Sequence, residues 1–455
     1  MAISQLHLPV AAFSRGIALA GILTALVVAP AAYAVGPVIA LERVSIGPDG
    51  MQLPHDSLRA AISADARYVA FDNGPASGYA NTVYLRDRTA RTTQLISVGI
   101  GGAVQNGISS NPAISGDGRY VGFQSSASNL VVGDTNATSD VFLRDHILGT
   151  TVRVSVAGDG PDTAGGGRVN QDDNVASWIS GDGRYVVFIS SAKLTANVTG
   201  GVQDHVFRRD VVANTTALVD VNPAGGAADA ICNGGSISAD GRFVLFNSQA
   251  SDIIAGSNPY HNPHLYVRDM QLGITTSLTP NLSSPGICPD QAGESQAYNL
   301  SSNGRFAAFD SLCTDLAAGQ QPLDHLFVRD LALGVTHLFR LNDDGSAGGD
   351  GQNSSVSNSG RYAIAWTQAK NVVPGDTDAF GDVFLHDFTT LHTWRISQRA
   401  DTGEPANDNS GSPLIGAGGH VVFTSYATNL VDGDTNNASD IFVATLDEIF
   451  ASGFE

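Results

Sequence analysis

A five-residue turn that keeps returning limits what this chain can fold into more than any other feature. Ser115-Gly116-Asp117-Gly118-Arg119, Ser180-Gly181-Asp182-Gly183-Arg184 and Ser238-Ala239-Asp240-Gly241-Arg242 are close copies. Looser copies end at Arg67, Arg305 and Arg361, and a degenerate seventh reads Gly418-Gly419-His420. Successive copies stand 52, 65, 58, 63, 56 and 59 residues apart. A period of this size marks stacked supersecondary units, none of which buries its apolar face alone.

Each unit reads as four short strands. In the second, residues 112–115 lead into the turn and residues 120–123 (Tyr-Val-Gly-Phe) follow it. Residues 141–143 then run to Arg144-Asp145, and residues 150–154 complete the set. The Asp-Gly pair supplies a residue tolerant of positive φ where a hairpin needs one. The third strand ends in Asp at 87, 145, 210, 269, 330 and 387, where a carboxylate caps the next tight turn. Sandwich modules need about 100 residues each, and β-helices repeat far more often. Four strands per unit, seven times, predict an all-β, seven-bladed propeller of four-stranded antiparallel blades. Unit seven has a third strand at residues 441–443 but no fourth after it, while an orphan strand at 41–46 precedes unit one. The N-terminal strand is therefore expected to complete the last blade and cover its edge.

Residues 1–34 read as a secretory signal: Arg15, an apolar run at 16–29, then Ala32-Tyr33-Ala34 before the cleavage point. This predicts a secreted or periplasmic protein with its propeller at 35–446 and a short tail at 447–455. No later stretch is apolar for long enough to span a bilayer. With 44 acidic against 24 basic side chains the formal charge is −20, which repels nucleic acid and anionic lipid. Three cysteines are too few for a disulfide scaffold. Cys288 with Cys313 and Cys232 with Cys288 are the two pairings an oxidising compartment allows on this reading.

The Ser-x-Asp-Gly-Arg turn and the Tyr-Val-x-Phe strand after it resemble the TolB-like, WD40-like (PD40) propeller repeats of exported bacterial proteins. The resemblance covers nearly all of the chain after residue 34 and departs from the pattern at 416–419. It implies a propeller that serves as a binding platform, with no shared catalytic residue. The last seven residues, Ile449-Phe450-Ala451-Ser452-Gly453-Phe454-Glu455, resemble short Gly-Phe-Glu tails of some exported proteobacterial proteins, and a frayed terminus is expected there.

The loops between second and third strands and the connections between blades vary in length, whereas the other turns are stereotyped. Variable loops on a rigid scaffold are where binding resides, so the loop face is the expected working face. Three of these loops repeat an acidic spacing: Asp134, Asn136 and Asp140; Asp376, Asp378 and Asp382; Asp434, Asn436 and Asp440. Alternating hard oxygens are what Ca²⁺ requires, and Ca²⁺ bound by these nine residues is one expectation. Asx-turns between strands are the other. His205, His264 and His325 share one register at the start of a third strand and are expected to be hairpin or rim residues rather than a metal site.

The function expected is a monomeric, non-enzymatic platform for a protein or glycan in the envelope or outside the cell. The alternative is a glycan-directed, sialidase-like hydrolase, which needs a central pocket with two carboxylates about 5–10 Å apart. The turns lack the Asp-x-Gly spacing and the Trp of a sialidase Asp-box, and no serine elbow, zinc helix or phosphate loop is present.

Overall fold

The structure is a computed structural model. It describes residues 37–74, 81–157, 167–169, 178–199, 203–254, 261–280, 298–313, 315–320, 326–341, 351–447, 450 and 453–454. The unit that carries the fold begins at Val35. Its described strands form seven antiparallel sheets, six of them four-stranded in the order first to fourth and one, blade three, three-stranded. In blade two these are Ser109–Ile114, Tyr120–Ser125, Asp140–Asp145 and Thr150–Arg153. In blade three the first strand shows as two bridges, Arg168 to Ile189 and Ile179 to Val186. Among the described residues no helix is long and apolar enough to cross a membrane.

The ring closes as expected. Blade seven consists of Ser410–Ile415, His420–Ser425 and Asp440–Leu446, and its fourth strand is Val38–Arg43. Leu41 lies opposite Ala444, Glu42 opposite Val443 and Arg43 opposite Phe442. An edge that would template aggregation is thereby paired.

Within a blade, second and third strands put aromatic rings opposite each other. Phe123 stacks on Phe142, Phe188 on Phe207, Phe309 on Phe327 and Phe423 on Phe442, with centroids 5.6–5.8 Å apart. Such pairs contribute about 0.5–1.5 kcal/mol each beyond the area they bury.

Between blades, the recurring turn is itself the joint. Ser180 donates to Asp182 and accepts from the Tyr185 amide, which closes the turn on itself. Within the same blade Arg184 reaches Asp210 at 2.7 Å, while Asp210 accepts from the amides of Val212 and Ala213 in the next turn. The two landmarks of the sequence, Arg after the turn and Asp after the third strand, are thus two halves of one contact. In blade four the guanidinium of Arg242 holds the Asp269 carboxyl below the usual carboxylate range. Each turn glycine also receives the aromatic ring of the preceding blade: Gly118 meets Tyr68, Gly183 meets Tyr120, Gly241 meets Tyr185. A Cβ at Gly183 would lie 2.2 Å from Tyr120, on a backbone with φ of +72°. Gly183→Ala is therefore expected to destabilise the protein by about 1–3 kcal/mol. Urea unfolding checks it, and an unchanged midpoint would contradict the joint.

Candidate functional site: the acidic loops, the axial cavity and the loop face

Fourth strands supply the partner of the acidic loops. Arg153 lies 3.2 Å from Asp134 and 3.6 Å from Asp140. Arg395 lies 2.6 Å from Asp376 and 3.2 Å from Asp382. Arg43 lies 3.5 Å from Asp434 and 3.8 Å from Asp440. Two residues further on, Ser155, Ser397 and Ser45 donate their hydroxyls to Asp140, Asp382 and Asp440. The middle member of each loop makes an Asx-turn: Asn136, Asp378 and Asn436 accept from the amides of Thr138, Phe380 and Ala438.

The nine residues therefore meet in three local clusters, each with a guanidinium already among its oxygens. The oxygens of Asp376, Asp378 and Asp382 approach within 4.8 Å of one another, close enough for a cation. Arg395 provides that positive charge. Burial nevertheless pushes the Asp382 carboxyl up to about 6, against the opposing pull of Arg395. Burial raises Asp440 as well.

The sequence reading missed these arginines, and a signal for them exists. Arg153, Arg395 and Arg43 share one position, opposite Phe142, Phe384 and Phe442. Blades one, three, four and five carry Leu95, Leu218, Ser277 and Leu338 there. Arginine occurs at this position in the three blades whose loops have the acidic spacing.

His205 and His264 sit where Asp140, Asp382 and Asp440 sit in their own blades. They are buried, which corrects the expectation of rim residues. The first residue of the third strand is buried in these blades, so a polar group there must be satisfied internally. His205 meets Asp220 at 2.6 Å, the polarity of the Asp–Ser pair reversed. Burial alone lowers His264 to about 4, so it is neutral at physiological pH. His325 lies outside the described residues. Cys313 is disulfide-bonded and Cys232 is free and buried, and the third cysteine of the sequence, Cys288, lies outside the described residues.

A cavity of about 370 Å³ lies on the axis. The residue before each turn supplies its wall: Ile62, Ile114, Ile179, Ile237, Leu300, Val356 and Ile415, one per blade. Leu414, Phe454, hydroxyls, amides and small residues complete the lining, and among the described residues no carboxylate belongs to it. The fully buried Asp72, whose carboxyl burial pushes up, faces donors instead: the amide of Arg59 at 3.2 Å and that of Asn111 at 3.4 Å.

On the loop face, two neighbouring loops are braced into one surface. Asn129 donates to the Val104 carbonyl at 2.8 Å and accepts from the Asn106 amide at 3.1 Å. This surface exposes Ile100 at 52%, Val104 at 82% and Val132 at 89%. Exposed aliphatics also occur on the opposite face, at Val212, Leu272, Leu333 and Leu391, but each on the outer turn of a different blade. Ile147 and Leu148 stand side by side on the outer turn of blade two, at 65% and 66% exposed, and among the described residues no side-chain hydrogen bond ties them to a neighbouring loop as Asn129 ties Val104.

No family model matches the chain, and no curated protein matches it in sequence. Among solved structures it is similar to TolB from Acinetobacter baumannii, at 17% identity over 62% of this chain and 53% of that one, with a TM-score of 0.36. The match thus spans about half of that protein's length. A putative TolB from Agrobacterium tumefaciens gives 14% identity, 63% and 81% coverage and a TM-score of 0.37. An oligogalacturonate lyase in complex with manganese gives 11% identity, 90% and 93% coverage and a TM-score of 0.50. The likeness is one of fold. The chain is a seven-bladed β-propeller, with TolB structures among its neighbours.

Proposed function

We propose that this chain is an exported, monomeric binding platform that presents its loop face to a protein partner in the periplasm or outside the cell. The observation that carries this reading is the braced aliphatic surface of Ile100, Val104 and Val132. Three exposed aliphatic side chains on loops held by side-chain hydrogen bonds form a preorganised patch, and rigid apolar patches serve protein recognition. Aliphatic side chains favour a protein over a glycan as the partner. The axial cavity, walled by one aliphatic side chain from each blade, is compatible with a binding role too. Calcium enters this reading only as a competitor of Arg395 at the Asp376, Asp378 and Asp382 cluster.

Site-specific photocrosslinking in cells of the native host tests the proposal. A crosslinker at Val104 or Val132 is expected to trap one discrete protein, and Val132→Asp is expected to reduce that adduct at least tenfold. A crosslinker at Leu272 or Leu333 on the opposite face is expected to trap none. Equal trapping from both faces, or trapping from Leu272 alone, would overturn the assignment.

A further inference from the structure

The seventh blade lacks the recurring turn, and residues from beyond the last strand stand in its place. Around the axis the turns are linked blade to blade by backbone hydrogen bonds. The Ala64 amide donates to the Gly116 carbonyl at 2.9 Å, Gly181 to Ala239 at 2.8 Å, and Ala239 to Ser302 at 2.7 Å. At blade six the amide of Asn358 donates to Phe454, at 3.1 Å, rather than to blade seven. The Ser359 hydroxyl donates to the carbonyl of Gly453.

The aromatic joint is copied as well. Phe243 meets Gly304 and Phe306 meets Gly360, each the turn glycine of the following blade. Tyr362 of blade six meets Gly453 instead, where a Cβ would lie 2.3 Å from its ring. Phe454 is 1% exposed, lines the axial cavity and packs with its ring tilted against Tyr362, centroids 5.1 Å apart. Phe450 packs edge-on against Trp394 at 5.0 Å. The expectation of a frayed tail is thereby corrected for these residues: Gly453 and Phe454 make the contacts that the turn at 416–419 does not.

We propose that the surface formed by Tyr362, Trp394, Ser359 and the Asn358 amide is a peptide-binding site specific for a Gly-Phe segment. The chain's own Gly453-Phe454 occupies it in cis, and the same sequence supplied in trans binds when the seat is vacated. Glycine is required because Tyr362 leaves no room for a side chain, and phenylalanine because the ring enters an aliphatic cavity. This site lies on the turn face, apart from the loop-face patch, and its fate is independent of the function proposed above.

The test uses the protein shortened after Asp447 and a fluorescein-labelled peptide of sequence Ile-Phe-Ala-Ser-Gly-Phe-Glu. Fluorescence polarisation is expected to show saturable one-to-one binding to the shortened protein, and at least tenfold weaker binding to the intact one. Peptides with Gly→Ala or Phe→Ala at the dipeptide are expected to lose at least tenfold in affinity. Should the shortened chain not refold, Gly453→Leu in the intact chain takes its place, because the new side chain collides with Tyr362 and expels the tail. A folded vacated protein that ignores the peptide, or binds the Gly→Ala and Phe→Ala peptides equally well, overturns the proposal.

Discussion

A protein that begins at Val44 will lose its cooperative fold. Removing Val38–Arg43 strips the strand paired with Asp440–Leu446 and leaves that backbone as an open edge. It also removes the guanidinium that lies near Asp434 and Asp440, both almost fully buried. Breaking a buried ion pair from one side costs about 3–5 kcal/mol, and the lost packing of the fully buried Val38 adds roughly 1.5–3 kcal/mol. For a chain of this size the sum corresponds to a fall in Tm on the order of 10 °C. Differential scanning calorimetry reads the fall, and size-exclusion chromatography reads the dimers or aggregates that the free edge promotes. Arg43→Leu, which keeps the strand and removes the charge, is expected to fall between the two. An unchanged Tm with a monomeric profile would mean that the ring does not depend on its first strand.

How far the sequence revealed this architecture depends on what each element required. The turn and the strand after it were legible because both depend on local chemistry: a positive φ at Gly118 and a serine that closes the turn at Ser115. Closure was legible by counting, since one blade lacked a strand and one strand lacked a blade. Arg43, Arg153 and Arg395 were not found. Their partners lie 13 or 19 residues away, or at the other end of the chain, and a single arginine on a strand carries no local signature. Comparing the same position across blades would have exposed them. The tail failed for a similar reason. Gly453 imitates a turn glycine of another blade, a relation visible only once the Tyr362 ring is in place. The acidic loops were read from oxygens alone, and the positive charge they need came from outside the motif.

Arg395→Met will be the most costly single substitution among the three arginines, and its cost will depend on pH. The side chain is nearly buried, and Asp376 and Asp382 are buried with it. Removing one partner leaves both carboxylates without their cation, a loss of about 3–5 kcal/mol at pH 7.5. Burial pushes the Asp382 carboxyl up to about 6 in the folded chain, from the ordinary 3.8 of an exposed aspartate in the unfolded one. Between those values the native state binds the proton more tightly, so this group's contribution to stability rises as pH falls from about 6 toward 4. Without Arg395 the carboxyl rises further, and protonation then removes most of the charge that the variant cannot compensate. The gap in urea midpoint between the native protein and Arg395→Met is therefore expected to narrow from pH 7.5 to pH 5. At pH 7.5 millimolar Ca²⁺ is expected to restore part of the loss in Arg395→Met, where three carboxylates within 4.8 Å then lack a positive charge. The native protein, with Arg395 in place, is expected to melt at the same temperature in Ca²⁺ and in EDTA. A gap independent of pH would show that Arg395 acts there through packing rather than charge.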